Sequence, residues 1–212
     1  MTPPDPRLRG LYAITDPVLL PDERLLAGVA AAIRGGARLV QYRDKGRDRD
    51  RRLAQARGLA RLCSESDALL IVNDDPELAA KAGAHGVHLG RDDAPVAEAR
   101  RLLGESAIIG VSCYADPARA ERFAAEADYL AFGRFFPSRT KPDALPADPA
   151  LLGDARRLGR PLAAIGGITA DNGAGLIAAG ADMLAVIHGV FGQPDIEAAA
   201  RALAGLFSRN RE

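Results

Sequence analysis

The chain has 212 residues, 48% of them hydrophobic, which is long for one average domain, short for two, and rich enough for one large core. Its 28 Lys and Arg residues balance 28 Asp and Glu residues, so no global charge directs it to nucleic acid or to an anionic membrane surface. It has no apolar run near the length of a membrane span, no signal-peptide pattern, and two cysteines, Cys63 and Cys113, without paired spacing; it reads as a soluble cytoplasmic protein with no disulfide framework or zinc site.

Residues 1–7 hold three prolines and no apolar period. They read as a loose arm ahead of a catalytic domain over 8–207 and a tail at 208–212. Short apolar runs then alternate with longer Ala/Leu/Arg stretches of helical period. In chain order the first half predicts strand Leu11–Ile14, helix Pro21–Gly35, strand Leu39–Tyr42, helix Asp48–Cys63, strand Leu69–Val72, helix Pro76–Ala82, strand Gly86–His88 and helix Ala94–Leu103. The second half predicts strand Ile108–Val111, helix Pro117–Ala125, strand Tyr129–Phe132, helix Pro149–Leu158, strand Leu162–Ile165, helix Ala170–Ala179, strand Leu184–Ile187 and helix Ile196–Phe207.

Asp75, Asp116, Asp148, Thr169 and Asp195 read as helix-opening residues, and a short extra helix fits after the last strand. The strands are uniformly apolar, as in a parallel sheet covered on both faces. Eight strands alternating with eight helices is the count of an α/β fold of the (β/α)8 TIM-barrel type, in a single domain. No G-x-G-x-x-G follows the first strand, which argues against an open dinucleotide-binding sheet.

In such a barrel the chemistry sits at the C-terminal ends of the strands, and the reactive residues of this chain collect there. After strand two, alternation puts Gln41, Arg43 and Lys45 on one face, two cations and an amide that suit an anion. Lysine is scarce, only Lys45, Lys81 and Lys141, so each is chosen for its compact ammonium where arginine supplies the generic charge. Asn73 and Asp74 end strand three, and Asp93 follows strand four. Two carboxylates on adjacent strand ends suit Mg2+, which keeps waters and takes further ligands from phosphates. Asp75, before Pro76, reads as a helix cap.

His88 reads as a hydrogen-bonded residue of the barrel interior and His85 as solvent-facing. Ser112, ending strand five, can orient a substrate, whereas Cys113 has no base to make it a nucleophile. The long segment from Gly133 to Ala147 carries Ser138, Thr140 and Lys141, a second anion-binding cluster. Gly166-Gly167 after strand seven and Ile187-His188-Gly189 after strand eight stand where this fold commonly grips phosphate. Two anion sites and a metal site around one mouth point to two phosphorylated reactants, one of them a diphosphate.

Taken in order, Leu11-Tyr12-Ala13-Ile14-Thr15-Asp16, Gln41-x-Arg43-x-Lys45, Asn73-Asp74, Gly86-Val87-His88-Leu89-Gly90 with Asp93, Gly110-Val111-Ser112, Phe136-Pro137-Ser138-x-Thr140-Lys141 and Ala164-Ile165-Gly166-Gly167-Ile168 resemble the thiamine-phosphate synthase family. The resemblance implies a Mg2+-dependent transferase. It would couple hydroxymethylpyrimidine diphosphate with a carboxylated thiazole phosphate to give thiamine phosphate, diphosphate and CO2, the diphosphate leaving first. It implies that Gln41, Arg43, Lys45 and Asn73 hold the pyrimidine diphosphate, Asp74 and Asp93 the Mg2+, and Ser112 and Lys141 the departing diphosphate. Ser138, Thr140 and Gly167, with Ile187 and His188, would hold the thiazole phosphate.

The chain departs from the family pattern at His85 (commonly Asp), Arg91 (usually Gln), Ser138 (more usually Thr), His188 (frequently Ser) and Tyr114, where many relatives have His. The alternatives are a thiazole tautomerase of the same barrel, which relies on a His in the region Tyr114 occupies, and a non-catalytic phosphate-ligand-binding barrel. The partners implied are small-molecule substrates, with no nucleic acid or membrane; oligomeric state stays open, a homo-oligomer included.

Overall fold

The computed structural model describes residues 5–137 and 146–209. The strands are β1 (Gly10–Ile14), β2 (Ala37–Tyr42), β3 (Leu69–Asn73), β4 (Gly86–Leu89), β5 (Ile108–Tyr114), β6 (Tyr129–Gly133), β7 (Leu162–Ile165) and β8 (Met183–Val186). They form one closed barrel in sequence order, with β8 returning to pair with β1 in parallel. The predicted barrel is therefore the observed one.

Pairing parity sorts each strand into two sets. Tyr12, Ile14, Leu39, Leu69, Ile71, Ile108, Tyr129, Ala131, Met183 and Ala185 fill the interior. Their neighbours, such as Leu11, Val40, Leu70, Val87, Val111, Leu130 and Leu184, form the layer between sheet and helices. A fully buried side chain of this size contributes roughly 1.5–3 kcal/mol, so both layers hold the ring shut.

The helices are α1 (Asp22–Arg34), α2 (Arg49–Glu65), α3 (Pro76–Ala82), α4 (Val96–Leu103), α5 (Pro117–Phe123), α6 (Ala150–Ala155, continued by a 3-10 turn at Arg156–Leu158), α7 (Gly173–Ala178), α8 (His188–Phe191) and α9 (Ile196–Arg209). Asp75 and Asp116 cap α3 and α5, each carboxylate accepting a backbone N–H one turn on, from Leu78 at 2.9 Å and Arg119 at 3.1 Å. Asp195 does the same for Ala198 at 2.9 Å. Asp148 accepts from Ala150, one residue beyond the cap position Pro149. Thr169 does not open α7: it forms a preliminary turn closed by Asn172 Oδ1, and the helix starts at Gly173.

The short extra helix after β8 is present as α8. Cys63 and Cys113 are free and buried in the outer layer, and burial pushes both thiols up to about 12, which suits packing and not nucleophilic attack.

Candidate active site

The last inward positions of consecutive strands converge at the C-terminal mouth. Gln41 of β2, Asn73 of β3, His88 of β4 and Ser112 of β5 share a cavity of about 740 Å³ with Arg43, Gly167, Ile187 and His188. Beneath them runs a line of side-chain hydrogen bonds. Gln41 Nε2 donates to Tyr12 Oη, and Tyr12 Oη meets Tyr129 Oη, each at 2.8 Å. His88 Nδ1 lies 2.8 Å from Tyr129 Oη, and His88 Nε2 lies 2.8 Å from Ser112 Oγ. His88 is thus the buried, hydrogen-bonded residue its parity predicts.

His85 is not solvent-facing as predicted. It is half-buried at the opposite end of the barrel, where its Nδ1 accepts the Leu70 N–H at 3.0 Å and its own N–H donates to the Leu70 carbonyl at 2.9 Å.

The predicted common face of Gln41, Arg43 and Lys45 is divided in the structure, because alternation ends with the strand at Tyr42. Arg43 stays in the mouth: its N–H donates to Thr15 Oγ1 at 2.9 Å, and Thr15 N–H in turn donates to the Gln41 carbonyl at 2.9 Å. The chain then turns around Asp44, a nearly buried carboxylate that accepts the Gly46 N–H at 2.6 Å and pairs with Arg51. Lys45 consequently reaches sideways, and its Nζ lies 3.4 Å from Asp74. Lys45 and Asp74 line a cleft that adjoins the mouth, with Asn73 common to both.

Asp74 adopts a left-handed backbone, φ 64°, directly after β3. Its N–H donates to the His88 carbonyl at 2.8 Å, which ties the rim of β3 to β4. Asp93 accepts the Gly90 N–H at 2.6 Å. Burial raises its pKa above the ordinary aspartate value; the Gly90 bond opposes the rise, and the Asp74 carboxylate within hydrogen-bonding reach adds to it. Asp93 does not cap α4, which opens at Pro95 without a side-chain cap. Asp75 does cap α3, and Asp92 is exposed.

Two facing carboxylates beside a lysine are a poor arrangement for bare anions and a good one for a hard divalent cation. Among the described residues no third His, Cys, Asp or Glu completes a protein cage. That fits Mg2+, whose shell is largely water and phosphate oxygen, and not a structural zinc.

Arg119 of α5 braces this rim. Its Nε donates to the Ser112 carbonyl at 2.7 Å and its guanidinium to the Gly90 carbonyl at 2.9 Å. Tyr114 and Arg91 pack on each other: the guanidinium lies 5.1 Å from the ring centroid, and the Arg91 N–H donates to Tyr114 Oη at 3.2 Å.

Opposite, Gly166 and Gly167 both take left-handed φ, 107° and 64°. A Cβ on Gly167 would lie 2.3 Å from the Pro137 carbonyl, so only glycine lets the start of the long loop close over β7. Phe136 N–H donates to the Gly166 carbonyl at 3.0 Å to hold that contact. Ile187 stands at the start of α8, and the His188 ring lies over Gly192 on the cavity wall. Ser138, Thr140 and Lys141 lie outside the described residues.

Sequence reasoning missed Tyr12, Tyr129, Asp16 and Arg134 as parts of the site. Tyr12 and Tyr129 were legible: both occupy inward positions of predicted strands, and a buried tyrosine hydroxyl needs a partner. Asp16 and Arg134 line the mouth from loops, where no periodicity points.

A profile described as thiamine monophosphate synthase matches residues 11–190. The chain belongs to the thiamine monophosphate synthase family. Its activity is that of a thiamine-phosphate synthase, a transferase acting on small molecules. Among similar proteins, the thiamine-phosphate synthase of Marinobacter nauticus is 56% identical over 95% of this chain and 92% of its own. That of Chromobacterium violaceum is 57% identical over 95% and 98%. The solved thiamine phosphate pyrophosphorylase of Pyrococcus furiosus superposes with a TM-score of 0.88 at 32% identity, covering 97% of this chain and 98% of that one. No helix among the described residues is long and apolar enough to cross a membrane.

Proposed function

We propose that this member of the family couples hydroxymethylpyrimidine diphosphate with a carboxylated thiazole phosphate, and that the residues around the mouth divide the work as follows. Gln41 and Asn73 bind the pyrimidine end from the cavity floor, and Arg43 and Lys45 flank the diphosphate from the β2 side. Asp74 and Asp93 hold a Mg2+ ion, which when bound neutralises diphosphate charge. Ser112 and Lys141 donate to the diphosphate as its carbon–oxygen bond breaks and the electron pair leaves with the oxygen. The thiazole nitrogen then supplies the pair for the new carbon–nitrogen bond, and the thiazole carboxylate leaves as CO2 to give thiamine phosphate. Gly167, Ile187 and His188 hold the thiazole phosphate on the far wall, and Ser138 and Thr140 are assigned to the same phosphate by the family motif. Arg119 acts through the carbonyls it grips.

The observation that carries this reading is the pair Asp74 and Asp93, set side by side next to Lys45 and one residue from Asn73 in the mouth. Ionisation of a diphosphate needs charge stabilisation more than a general base, and the cations, donors and facing carboxylates of this mouth support that reading. The test is thiamine phosphate formation by the purified protein from the two heterocycles, with Mg2+ and with EDTA. Product only with Mg2+ is expected. Isomerisation of the thiazole without coupling, at any Mg2+ level, would overturn the synthase reading in favour of a tautomerase.

A further inference from the structure

The side chains under the mouth form a single buried line, Gln41–Tyr12–Tyr129–His88–Ser112, with every link at 2.8 Å and both ends in the cavity. Tyr12, Tyr129, Gln41 and His88 are 1%, 0%, 3% and 8% exposed, so bulk water does not compete for these groups. The direction of each bond follows from chemistry. An amide NH2 can only donate, so Tyr12 Oη accepts from Gln41. A phenol has one hydrogen, and that of the buried Tyr12 would have no acceptor in the line unless it served Tyr129. The Tyr129 hydrogen in turn serves His88 Nδ1, which must be the bare nitrogen of a neutral ring. The other nitrogen, Nε2, therefore carries the hydrogen and donates to Ser112 Oγ. Ser112 is left with its own hydrogen turned away from His88.

Burial raises both tyrosine pKa values far above neutrality, so neither hydroxyl loses the hydrogen this order needs. The His88 ring stacks on Tyr129 with centroids 5.5 Å apart, which fixes its plane along the line.

We infer that this line is a one-way hydrogen-bond relay, in which Tyr12, Tyr129 and His88 are positioning residues that lock the Ser112 hydroxyl as a donor toward the leaving diphosphate. The inference deepens the proposed role of Ser112 and rests on it for the identity of the anion. The locked direction itself follows from the hydrogen bonds among these five side chains. A serine free to rotate would present a lone pair to an anion part of the time; the relay removes that orientation before the substrate arrives.

The His88 tautomer reads out the relay without any turnover. In 15N NMR spectra of the full chain, with His85→Gln and His188→Gln variants used to assign the signals, His88 is expected as the Nε2–H tautomer only. Any proton on Nδ1 in the unsubstituted protein overturns the relay. Tyr129→Phe removes one oxygen and keeps the ring, and is expected to let the His88 proton distribute over both nitrogens. Tyr12→Phe keeps the Tyr129–His88 contact but frees Tyr129 to accept as well as donate, and is expected to let part of the Nδ1–H form appear.

With inorganic pyrophosphate and Mg2+ as the probe, Tyr129→Phe should weaken binding roughly tenfold, the size of one hydrogen bond to a charged group. An unshifted tautomer in Tyr129→Phe sinks the relay. The Nε2–H form with unchanged pyrophosphate binding would instead overturn the role of Ser112 toward diphosphate, while Mg2+-dependent coupling is scored separately in the assay given above.

Discussion

At the scale of single residues, the site carries a charge conflict that a metal would relieve. Asp74 and Asp93 face each other at the rim, and Lys45 at 3.4 Å offsets only Asp74 directly. Replacing Asp93 with Asn keeps an oxygen for the Gly90 N–H and removes one of the two charges. In metal-free buffer Asp93→Asn should raise Tm by roughly 1–3 °C, since partly exposed charge pairs are worth up to about 1 kcal/mol and that moves a chain of this size a few degrees. The same variant should need several-fold more Mg2+ for coupling. A thermal melt in EDTA beside a Mg2+ titration checks both; a lower Tm with an unchanged titration would remove Asp93 from the metal site. The two carboxylates were legible in the sequence because Asp74 directly follows β3 and Asp93 lies in the short loop after β4. Lys45 was legible as a site lysine but not in direction, since its course depends on the turn around Asp44, a nearly buried carboxylate that looks in sequence like one more surface charge.

At the scale of elements, strand positions followed from apolar runs, and helix starts from Asp before Pro. The misses have local causes. Thr169 looks like a cap, but Asn172 captures its N–H and delays α7 to Gly173. β5 runs on to Tyr114 through an irregularity in its pairing with β6, which no alternation pattern announces. His85 was misread because a single histidine before a strand gives no sign of serving as a strand partner. Its Nδ1 takes the place of a carbonyl for the Leu70 N–H, a role only the neutral ring can fill. Burial, then the charge of Arg7, lowers its pKa below the ordinary 6.5. A lowered histidine pKa contributes stability that is present above 6.5 and lost as pH falls through the folded-state value. Urea unfolding at pH 7.5 and pH 5 should therefore show a larger drop in midpoint for the native sequence than for His85→Gln, whose amide oxygen accepts at both pH values. The expected excess is on the order of 0.3–0.5 M urea, what one hydrogen bond gives. Equal drops would show that the His85 bond contributes nothing to the β3–β4 pairing.

At the scale of the whole molecule, closure is what lets dispersed residues act together. Gln41, Asn73, His88 and Ser112 come from four consecutive strands and meet only because the ring fixes the register of each to the next, as in Asn73 opposite His88. An open sheet with the same strands would splay them. A closed ring also has no free edge to absorb an error, so a misfit between two strands cannot be relieved by sliding one of them. Gly86 tests this. A Cβ there would stand 1.8 Å from the Ile108 carbonyl oxygen on β5, a backbone atom that cannot rotate away. Gly205, inside α9, has nothing within 4 Å of its Cβ position. The same change, Gly→Ala, should thus act with opposite sign. At Gly205 it should raise Tm by ~2–3 °C through helix propensity alone. At Gly86 overpacking of about 3 kcal/mol should lower it by ~6–12 °C, and because the strain falls on the β4–β5 contact it should also disturb His88 and Ser112 above it. Calorimetry of the two variants decides the matter: a Gly86→Ala melt within 2 °C of the native one would mean that the barrel flexes at β4, and that the register holding the site together is softer than closure requires.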